Sequence, residues 1–193
     1  MKRGATKEEI IRTTQDLITR NGIRAVRVDE IAQKLGISKR TLYEMFADKN
    51  DLISACLDDL ARRQRQRIAA SRRRRSGNPL QRTLRLANDY IDSLYTVDHS
   101  FLADIRRKVL FAEQYDEHRE FWRKELSLNL EECRGGGLLL SEIDTAALAE
   151  QLMSTLFELR LNRTTREELY LLCRTILRGA ATQQGIDLID RKP

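Results

Sequence analysis

The apolar residues of this 193-residue chain recur at helical spacing along most of its length. Val28, Ile31, Ala32 and Leu35, for example, follow the i, i+3, i+4, i+7 pattern of a helix that buries one face. No segment shows the alternation of apolar and polar residues that is typical of a strand. The sequence contains only 2 Pro and 9 Gly, so few residues interrupt the helices. We therefore predict an all-α protein.

Capping residues divide the chain into about nine predicted helices. The predicted N-caps are Thr6, Ser38, Asp48, Asn78, Asp98, Asp144 and Thr165, and the predicted stops are Asn21-Gly22, Gly36, the run from Gly135 to Gly137, and a point near Gly185. The first four helices occupy about 60 residues. We expect an N-terminal domain over residues 1–60, joined by a long helix to a C-terminal helical domain over residues 61–193.

Basic residues outnumber acidic ones, 35 to 29, and the predicted isoelectric point is near 9.4. The first 60 residues are nearly balanced in charge, so the excess comes from a cluster of eight arginines. These are Arg62, Arg63, Arg65, Arg67 and Arg72 to Arg75. The basic excess predicts an anionic partner for the N-terminal part of the chain. We interpret residues 72–75 as a solvated helix end or loop rather than as a second polyanion site.

The cysteines and histidines indicate neither a disulfide framework nor a metal site. Cys56, Cys133 and Cys173 form no close pair, and we interpret them as small buried hydrophobes, with a redox-sensing role as the alternative. His99 and His118 have no ligand-type neighbours at zinc spacing. No apolar segment is long enough to span a membrane or to act as a signal peptide, so we expect a cytoplasmic protein. We also expect no cofactor.

The second and third predicted helices have the length and spacing of a helix-turn-helix. They run from Val28 to Phe46 and are joined by Gly36-Ile37. Lys39 and Arg40 lie in the first turn of the third helix, where the positive end of the helix dipole disfavours a cation. An anion bound at that helix end would account for them, and DNA supplies phosphates at regular spacing. The alternative is a set of solvated surface charges.

A longer run of residues resembles the N-terminal domain of TetR-type (TetR/AcrR) transcriptional regulators. The resemblance covers residues 5–60, with the helix-turn-helix at about 28–47, and rests on Gly22, Val28-Asp29-Glu30-Ile31-Ala32, Leu35-Gly36-Ile37-Ser38-Lys39-Arg40-Thr41-Leu42-Tyr43-Glu44-Met45-Phe46 and Asp48-Lys49-Asn50-Asp51-Leu52. It implies a homodimer that binds double-stranded DNA at a near-palindromic operator, with the third helix as the recognition helix.

The resemblance also implies roles for individual residues. The implied base contacts are Lys39, Arg40 and Thr41, and the implied phosphate contacts are Arg27, Ser38, Tyr43 and Lys49. Four positions depart from the usual pattern of the family: Arg27 replaces a capping residue, Arg40 a small residue and Met45 a His or Tyr, while Glu44 adds a negative charge near the DNA. The operator of a relative therefore does not transfer to this chain.

The family also has a C-terminal helical domain that binds an effector and dimerises. The candidate effector-pocket residues are Tyr90, Tyr95, Phe101, His118, Trp122 and Phe157, each of which could instead be ordinary core. The candidate dimer interface, on helices eight and nine, comprises Leu152, Leu156, Leu159, Leu172, Ile176 and Ala180.

Together these features predict a ligand-responsive DNA-binding transcriptional regulator that acts as a repressor. The alternative is a helical small-molecule-binding or interaction protein whose helix-turn-helix no longer reads DNA. We do not expect an enzyme, because the sequence shows no nucleophile–base pair and no metal-ligand cluster.

Overall fold

The computed structural model describes residues 5–73, 77–107 and 109–190. Its helices are α1 (Lys7–Asn21), α2 (Val28–Leu35), α3 (Lys39–Met45), α4 (Lys49–Arg73), α5 (Pro79–Tyr95), α6 (His99–Arg107), α7 (Ala112–Gly135), α8 (Thr145–Leu161), α9 (Arg166–Gly179) and α10 (Gln183–Asp190), with a short 3₁₀ turn at Val109–Phe111. Within the described ranges, strand-like pairing is limited to one bridge between Leu139 and Ala181. The all-α prediction is confirmed.

The predicted caps begin the helices as expected. Thr6, Asn78 and Thr165 each form a capping box, in which the cap side chain accepts from the third backbone N–H of the helix and the side chain of that third residue accepts from the cap N–H. The Asp48 carboxylate accepts two backbone N–H groups at the start of α4, and Asp144 does so at the start of α8. These local bonds explain why the helix starts could be predicted from sequence.

The predicted end of the ninth helix near Gly185 is wrong. α9 ends at Gly179, because the next residues bond to an earlier loop instead of continuing the helix: Leu140 N–H donates to the Ala180 carbonyl at 3.0 Å, and Thr182 N–H donates to the Leu138 carbonyl at 3.1 Å. Gly185 lies inside a separate helix, α10, where a Cβ atom would stand 2.2 Å from the Leu138 carbonyl oxygen. Its glycine therefore serves close packing and not a helix stop.

The helices group into two compact units that are not continuous in sequence. The first contains the chain up to Arg67 together with Val97–Asp116, and the second contains Ile68–Thr96 together with the chain from Glu117 onward. The continuous division predicted at residue 60 thus lies seven residues before the first break, and α6 groups with α1 to α4. Hydrogen bonding accounts for the position of α6, since Asp98 N–H donates to the Thr19 carbonyl at 2.6 Å. Arg72 to Arg75, for which we predicted a solvated end, lie outside the described side chains.

The core of the first unit forms between α1, α2, α3 and the first half of α4. Its fully buried side chains include Ile10, Ile18, Ile31, Leu42, Phe46, Leu52 and Ile53. Gln15, buried on α1, donates through Nε2 to the Cys56 carbonyl and to the Asp59 carboxylate of α4, both at 2.9 Å. These bonds fix α1 against α4, because a buried amide left without partners would cost about 1–3 kcal/mol.

The core of the second unit is built around Trp122 of α7, which has no exposed surface. The Tyr90 ring meets it edge-on at 5.2 Å between centroids, and Phe121 meets it at 6.0 Å. The Tyr90 hydroxyl donates to the Met153 carbonyl of α8 at 3.4 Å. Aromatic packing thus joins α5 to α7, and the Tyr90 hydroxyl joins α5 to α8.

All three cysteines are buried and unpaired by disulfides, as predicted for small hydrophobes. Burial raises the pKa of the Cys56 and Cys173 thiols to about 12 and also raises the pKa of Cys133. Among the described residues, no helix is both long and apolar enough to cross a membrane.

Candidate nucleic-acid interface

A tight turn joins α2 to α3. Gly36 adopts the left-handed conformation, with φ 63° and ψ 32°, and ends α2. Its N–H donates to the Gln33 carbonyl at 3.2 Å, and the Ile37 N–H donates to the Ala32 carbonyl at 3.1 Å. Ser38 then begins α3 by accepting the Thr41 N–H on Oγ at 3.0 Å. Gly36, Ile37 and Ser38 thus form the three-residue turn of a helix-turn-helix.

The outward face of α3 is charged and accessible. The Lys39 side chain is 55% exposed and pairs with Asp29 of α2, and the Arg40 side chain is 89% exposed and donates through Nε to Glu44 at 3.1 Å. Tyr43, on the same short helix, is 47% exposed. Exposed ion pairs of this kind are worth about 0–1 kcal/mol. A phosphate or a base edge can therefore replace either carboxylate at little cost in free energy.

Thr41 and Ser38 already bond to each other. Their hydroxyl oxygens are 2.9 Å apart, in addition to the bond from Thr41 N–H to Ser38. Ser38 is therefore a helix cap in the structure, a role that is compatible with the phosphate contact predicted for it, because a hydroxyl oxygen has two lone pairs and one proton.

Arg27 occupies the N-cap position of α2 and makes no side-chain cap hydrogen bond there, as its identity predicts. Its side chain is exposed. Lys49, by contrast, is only partly accessible, because its ammonium group donates to the Ile23 carbonyl at 3.1 Å and to the Val26 carbonyl. The structure thus leaves Arg27 at the surface and turns Lys49 toward the loop that precedes α2.

One buried carboxylate near this site escaped the sequence reasoning. Asp104 of α6 accepts the Arg24 N–H at 2.8 Å and lies 3.4 Å from the Arg24 guanidinium. The two residues are 80 positions apart, and nothing in the local sequence around Asp104 distinguishes it from a surface aspartate. Only the packing of α6 within the first unit, beside the loop after α1, brings the two residues together.

The six candidate effector residues fall in both units. Tyr90, Tyr95, His118, Trp122 and Phe157 belong to the second unit, whereas Phe101 lies on α6 of the first. Trp122 donates through Nε1 to His118 Nε2 at 3.2 Å, which places Tyr90, Trp122 and His118 in one cluster.

Tyr95 belongs to a separate group at the end of α5. The guanidinium carbons of Arg160 and Arg166 lie 4.5 and 5.1 Å from the centroid of its ring. Its hydroxyl donates to the Thr164 carbonyl at 2.5 Å, and burial raises its pKa.

The candidate dimer residues differ in exposure within the single chain. Leu152, Leu156 and Ala180 are 1%, 0% and 6% exposed, so their side chains are already covered. Leu159, Leu172 and Ile176 are partly exposed. Leu171 of α9, which the sequence reasoning missed, is 67% exposed. Its position next to Leu172 was the available signal. Adjacent residues of a helix point in different directions, so the apolar residue that the buried stripe does not need points outward.

Comparisons with known proteins match this geometry. Residues 10–56 fit the model of the family described as "Bacterial regulatory proteins, tetR family". An uncharacterized HTH-type transcriptional regulator of Mycobacterium tuberculosis strain H37Rv is 43% identical over 51 residues, which is 26% of this chain and 21% of that protein. The match therefore spans about a fifth of the length of the curated relative.

Two solved structures share the fold over nearly their whole length. A putative transcriptional regulator from Saccharomonospora viridis in complex with choline has a TM-score of 0.78 and 18% identity, over 91% of this chain and 96% of that one. A TetR transcription regulator from Haloarcula marismortui has a TM-score of 0.77 and 19% identity, over 91% and 98% of the two chains.

The α2–α3 geometry defines a helix-turn-helix within an all-α fold. Residues 10–56, which contain it, match the tetR family of bacterial regulatory proteins, as the sequence resemblance indicated.

Proposed function

We propose that this chain is a transcriptional regulator that binds a near-palindromic DNA operator as a homodimer and represses transcription there. The observation that carries the proposal is the outward face of α3, which presents Lys39 and Arg40 from a capped helix within a tetR-family domain. Such a protein works where DNA is accessible, in the cytoplasm. The proposal assigns the chain no catalytic role.

In this proposal the predicted contacts divide by chemistry. Lys39, Arg40 and Thr41 contact base edges in the major groove. Arginine and lysine are suited to hydrogen bonding with guanine there. Arg27, Ser38 and Tyr43 bind phosphate oxygens and set the register of the helix on the duplex. Lys49 was also predicted to bind phosphate, but its ammonium group donates to the Ile23 and Val26 carbonyls, which supports a different role.

The dimer in this proposal forms through the outer faces of α8 and α9. Leu171, Leu172 and Ile176 of α9 and Leu159 of α8 are side chains that still have apolar surface to bury. Leu152, Leu156 and Ala180, which we also predicted for the interface, would support it from within the chain. Pairing these faces between two copies removes apolar surface from water at about 25 cal/mol per Å².

We further propose that a small molecule binds the second unit and lowers affinity for DNA. The choline complex of the fold relative supports a ligand in this class of helical domain. The proposed pocket residues are those predicted above, with Tyr90, His118 and Trp122 already in contact. A ligand acts in this way only if it binds more tightly to the conformer that does not bind DNA.

The experiment that tests DNA binding is selection of bound sequences from a random duplex pool at moderate salt. We expect a near-palindromic motif with the natural chain and none with the double variant Lys39→Ala, Arg40→Ala. The matched control is Arg123→Ala, Arg134→Ala, which removes the same charge from α7. Arg123 and Arg134 resemble the α3 cations in that each forms an ion pair with a carboxylate, Glu120 and Glu131 respectively. No enriched motif with the natural chain at any salt concentration would refute the proposal.

The second candidate function is that of a helical binding protein whose helix-turn-helix no longer reads DNA. It is favoured by one observation, namely that both α3 cations already have carboxylate partners, Asp29 and Glu44. The salt dependence of DNA binding distinguishes the two. A regulator loses affinity steeply as salt rises, with a slope that depends on the number of phosphates it neutralises.

A further inference from the structure

The loop that leads into the helix-turn-helix is bound from one side by α6. The Arg24 N–H donates to Asp104 Oδ2 at 2.8 Å, and Asp104 Oδ1 lies 3.4 Å from Arg24 Nε. Asp104 is only 8% exposed. A carboxylate this well buried needs hydrogen-bond donors, and here the loop backbone supplies one of them.

The same face of α6 also packs directly on the loop. Ser100 lies one helical turn before Asp104, and a Cβ atom at Gly22 would be 2.9 Å from Ser100 Cβ and 3.0 Å from Asp104 Oδ2. Gly22 has φ 84° and ψ 162°, a conformation essentially restricted to glycine. The close approach of α6 and the loop therefore depends on the absence of a side chain at Gly22.

The first turn of α4 binds the loop as well. The Lys49 ammonium donates to the carbonyls of Ile23 and Val26, whose side chains have no exposed surface. Within four consecutive residues, then, two carbonyls are bound by α4 and one N–H is bound by α6. Charged side chains form hydrogen bonds to backbone groups that are stronger than neutral ones.

The position of this loop determines where α2 starts. α2 begins at Val28, two residues after Val26, and its own N-cap residue Arg27 forms no side-chain cap bond. The entry to α2 is therefore fixed by Lys49 and Asp104 instead of by a local cap. α3 follows α2 after a short turn, so its placement depends on α2.

We propose that Lys49 and Asp104 are positioning residues for the helix-turn-helix, which fix the Gly22–Arg27 loop from two helices and contact no DNA. The proposal rests on the DNA-binding function proposed above. It replaces the phosphate contact predicted for Lys49, and it assigns a role to Asp104, for which the sequence predicted none. A misplaced recognition helix loses base contacts but keeps most of its attraction to phosphates. Substituting a positioning residue therefore affects DNA binding differently from substituting a phosphate contact.

The test compares Asp104→Ala and Lys49→Met with charge-matched controls on DNA that the natural chain has enriched from a random pool. Asp16→Ala removes an exposed carboxylate from α1, and Lys124→Met removes an exposed ammonium from α7. Affinity is measured for the enriched duplex and for a scrambled duplex across a range of salt concentrations. We expect both test variants to lose about tenfold or more in affinity for the enriched duplex only, with the slope of log K against log salt unchanged.

A phosphate contact behaves differently. Losing one would reduce the magnitude of that slope by about 0.9 and weaken binding to both duplexes alike. Asp104→Asn provides the rescue, because its amide oxygen can still accept the Arg24 N–H, and we expect it to bind the enriched duplex within about threefold of the natural chain.

Three results would overturn the proposal. The first is a slope reduced by about 0.9 in Lys49→Met, which would make Lys49 a phosphate contact. The second is affinity for the enriched duplex equal to that of the controls. The third is loss of the cooperative thermal transition in Asp104→Ala, which would assign Asp104 to the stability of the whole unit.

Amide hydrogen exchange separates failure of this proposal from failure of the DNA-binding function. In Asp104→Ala we expect faster exchange at Arg24 and in the first turn of α2, with Asp16→Ala unchanged. If the natural chain enriches no duplex but exchange rises in this way, the loop is held as proposed and the DNA-binding function is wrong. Unchanged exchange at Arg24 would overturn the positioning role whatever the DNA result.

Discussion

Gly22 and Gly36 both have positive φ, yet their surroundings differ. A Cβ atom at Gly36 would meet nothing within 4 Å, whereas one at Gly22 would overlap Ser100. From the sequence alone, both glycines are predicted to end a helix. Their difference in packing comes from α6, which is about 80 residues away in the sequence.

We predict that Gly22→Ala destabilises the protein more than Gly36→Ala does. Gly36→Ala should cost about 1–2 kcal/mol, the penalty for an L-residue in the left-handed region. Gly22→Ala adds steric overlap to a backbone penalty of about 1–3 kcal/mol. Chemical denaturation followed by circular dichroism measures both.

Gly135→Ala is the control for these two substitutions. Gly135 is the last residue of α7, its φ is not positive, and a Cβ atom there meets nothing within 4 Å. We expect it to be neutral or stabilising, by up to about 1 kcal/mol. Equal losses at Gly22 and Gly36 would show that α6 does not pack closely on the loop.

At the scale of single elements, α3 depends on one side chain for its start. It is only seven residues long, and Ser38 supplies its cap. Short helices gain little from their own hydrogen bonds, so the cap and the buried Leu42 carry much of the stability of α3. Ser38 therefore has a structural role as well as its proposed contact with phosphate.

Two substitutions at Ser38 should separate these roles. Ser38→Ala should lower stability by about 1 kcal/mol, because the cap is lost. Ser38→Asp should keep stability within a few tenths of a kcal/mol, since aspartate caps as well as serine, while its charge repels phosphate and weakens DNA binding about fivefold or more. Thermal unfolding and duplex titration measure the two effects.

Ser141→Asp, on an exposed loop of the second unit, controls for the added charge. If it weakens DNA binding as much as Ser38→Asp does, the effect comes from net charge and Ser38 does not lie near a phosphate.

At the scale of the whole molecule, two exposed leucines on different helices bear on assembly. Leu171 is 67% exposed on α9, and Leu128 is 48% exposed on α7. The proposed dimer uses the face of α9, so the two leucines should respond differently to the same substitution.

We predict that Leu171→Glu weakens dimerisation at least tenfold, because it loses about 1.5–3 kcal/mol of apolar burial and places a charge in the interface. Light scattering after size exclusion should give twice 22.5 kDa for the natural chain and a concentration-dependent lower mass for the variant. Leu128→Glu should keep the dimer mass. A natural chain that remains at 22.5 kDa at all concentrations would contradict the dimer.

The sequence alone was sufficient for the features that depend on local bonds. Helix starts at Thr6, Asn78 and Thr165 could be read because cap and backbone lie three residues apart, and the helix-turn-helix could be read because its spacing and its glycine are local. The position of Lys39 and Arg40 in the first turn of α3 could be read from Ser38, the cap that directly precedes them. In each case the partners are neighbours in the chain, so the pattern of residue types determines the structure.

Only the tertiary structure decided the features that join distant segments. The pairing of residues 180–182 with 138–140 ended α9 early, and the packing of α6 placed Asp104 against Arg24. Lys49 looked like a phosphate ligand in the sequence, but its ammonium group binds two loop carbonyls. A charged side chain bonds to whichever groups the fold brings within reach, and for these residues those groups lie between 23 and 80 positions away.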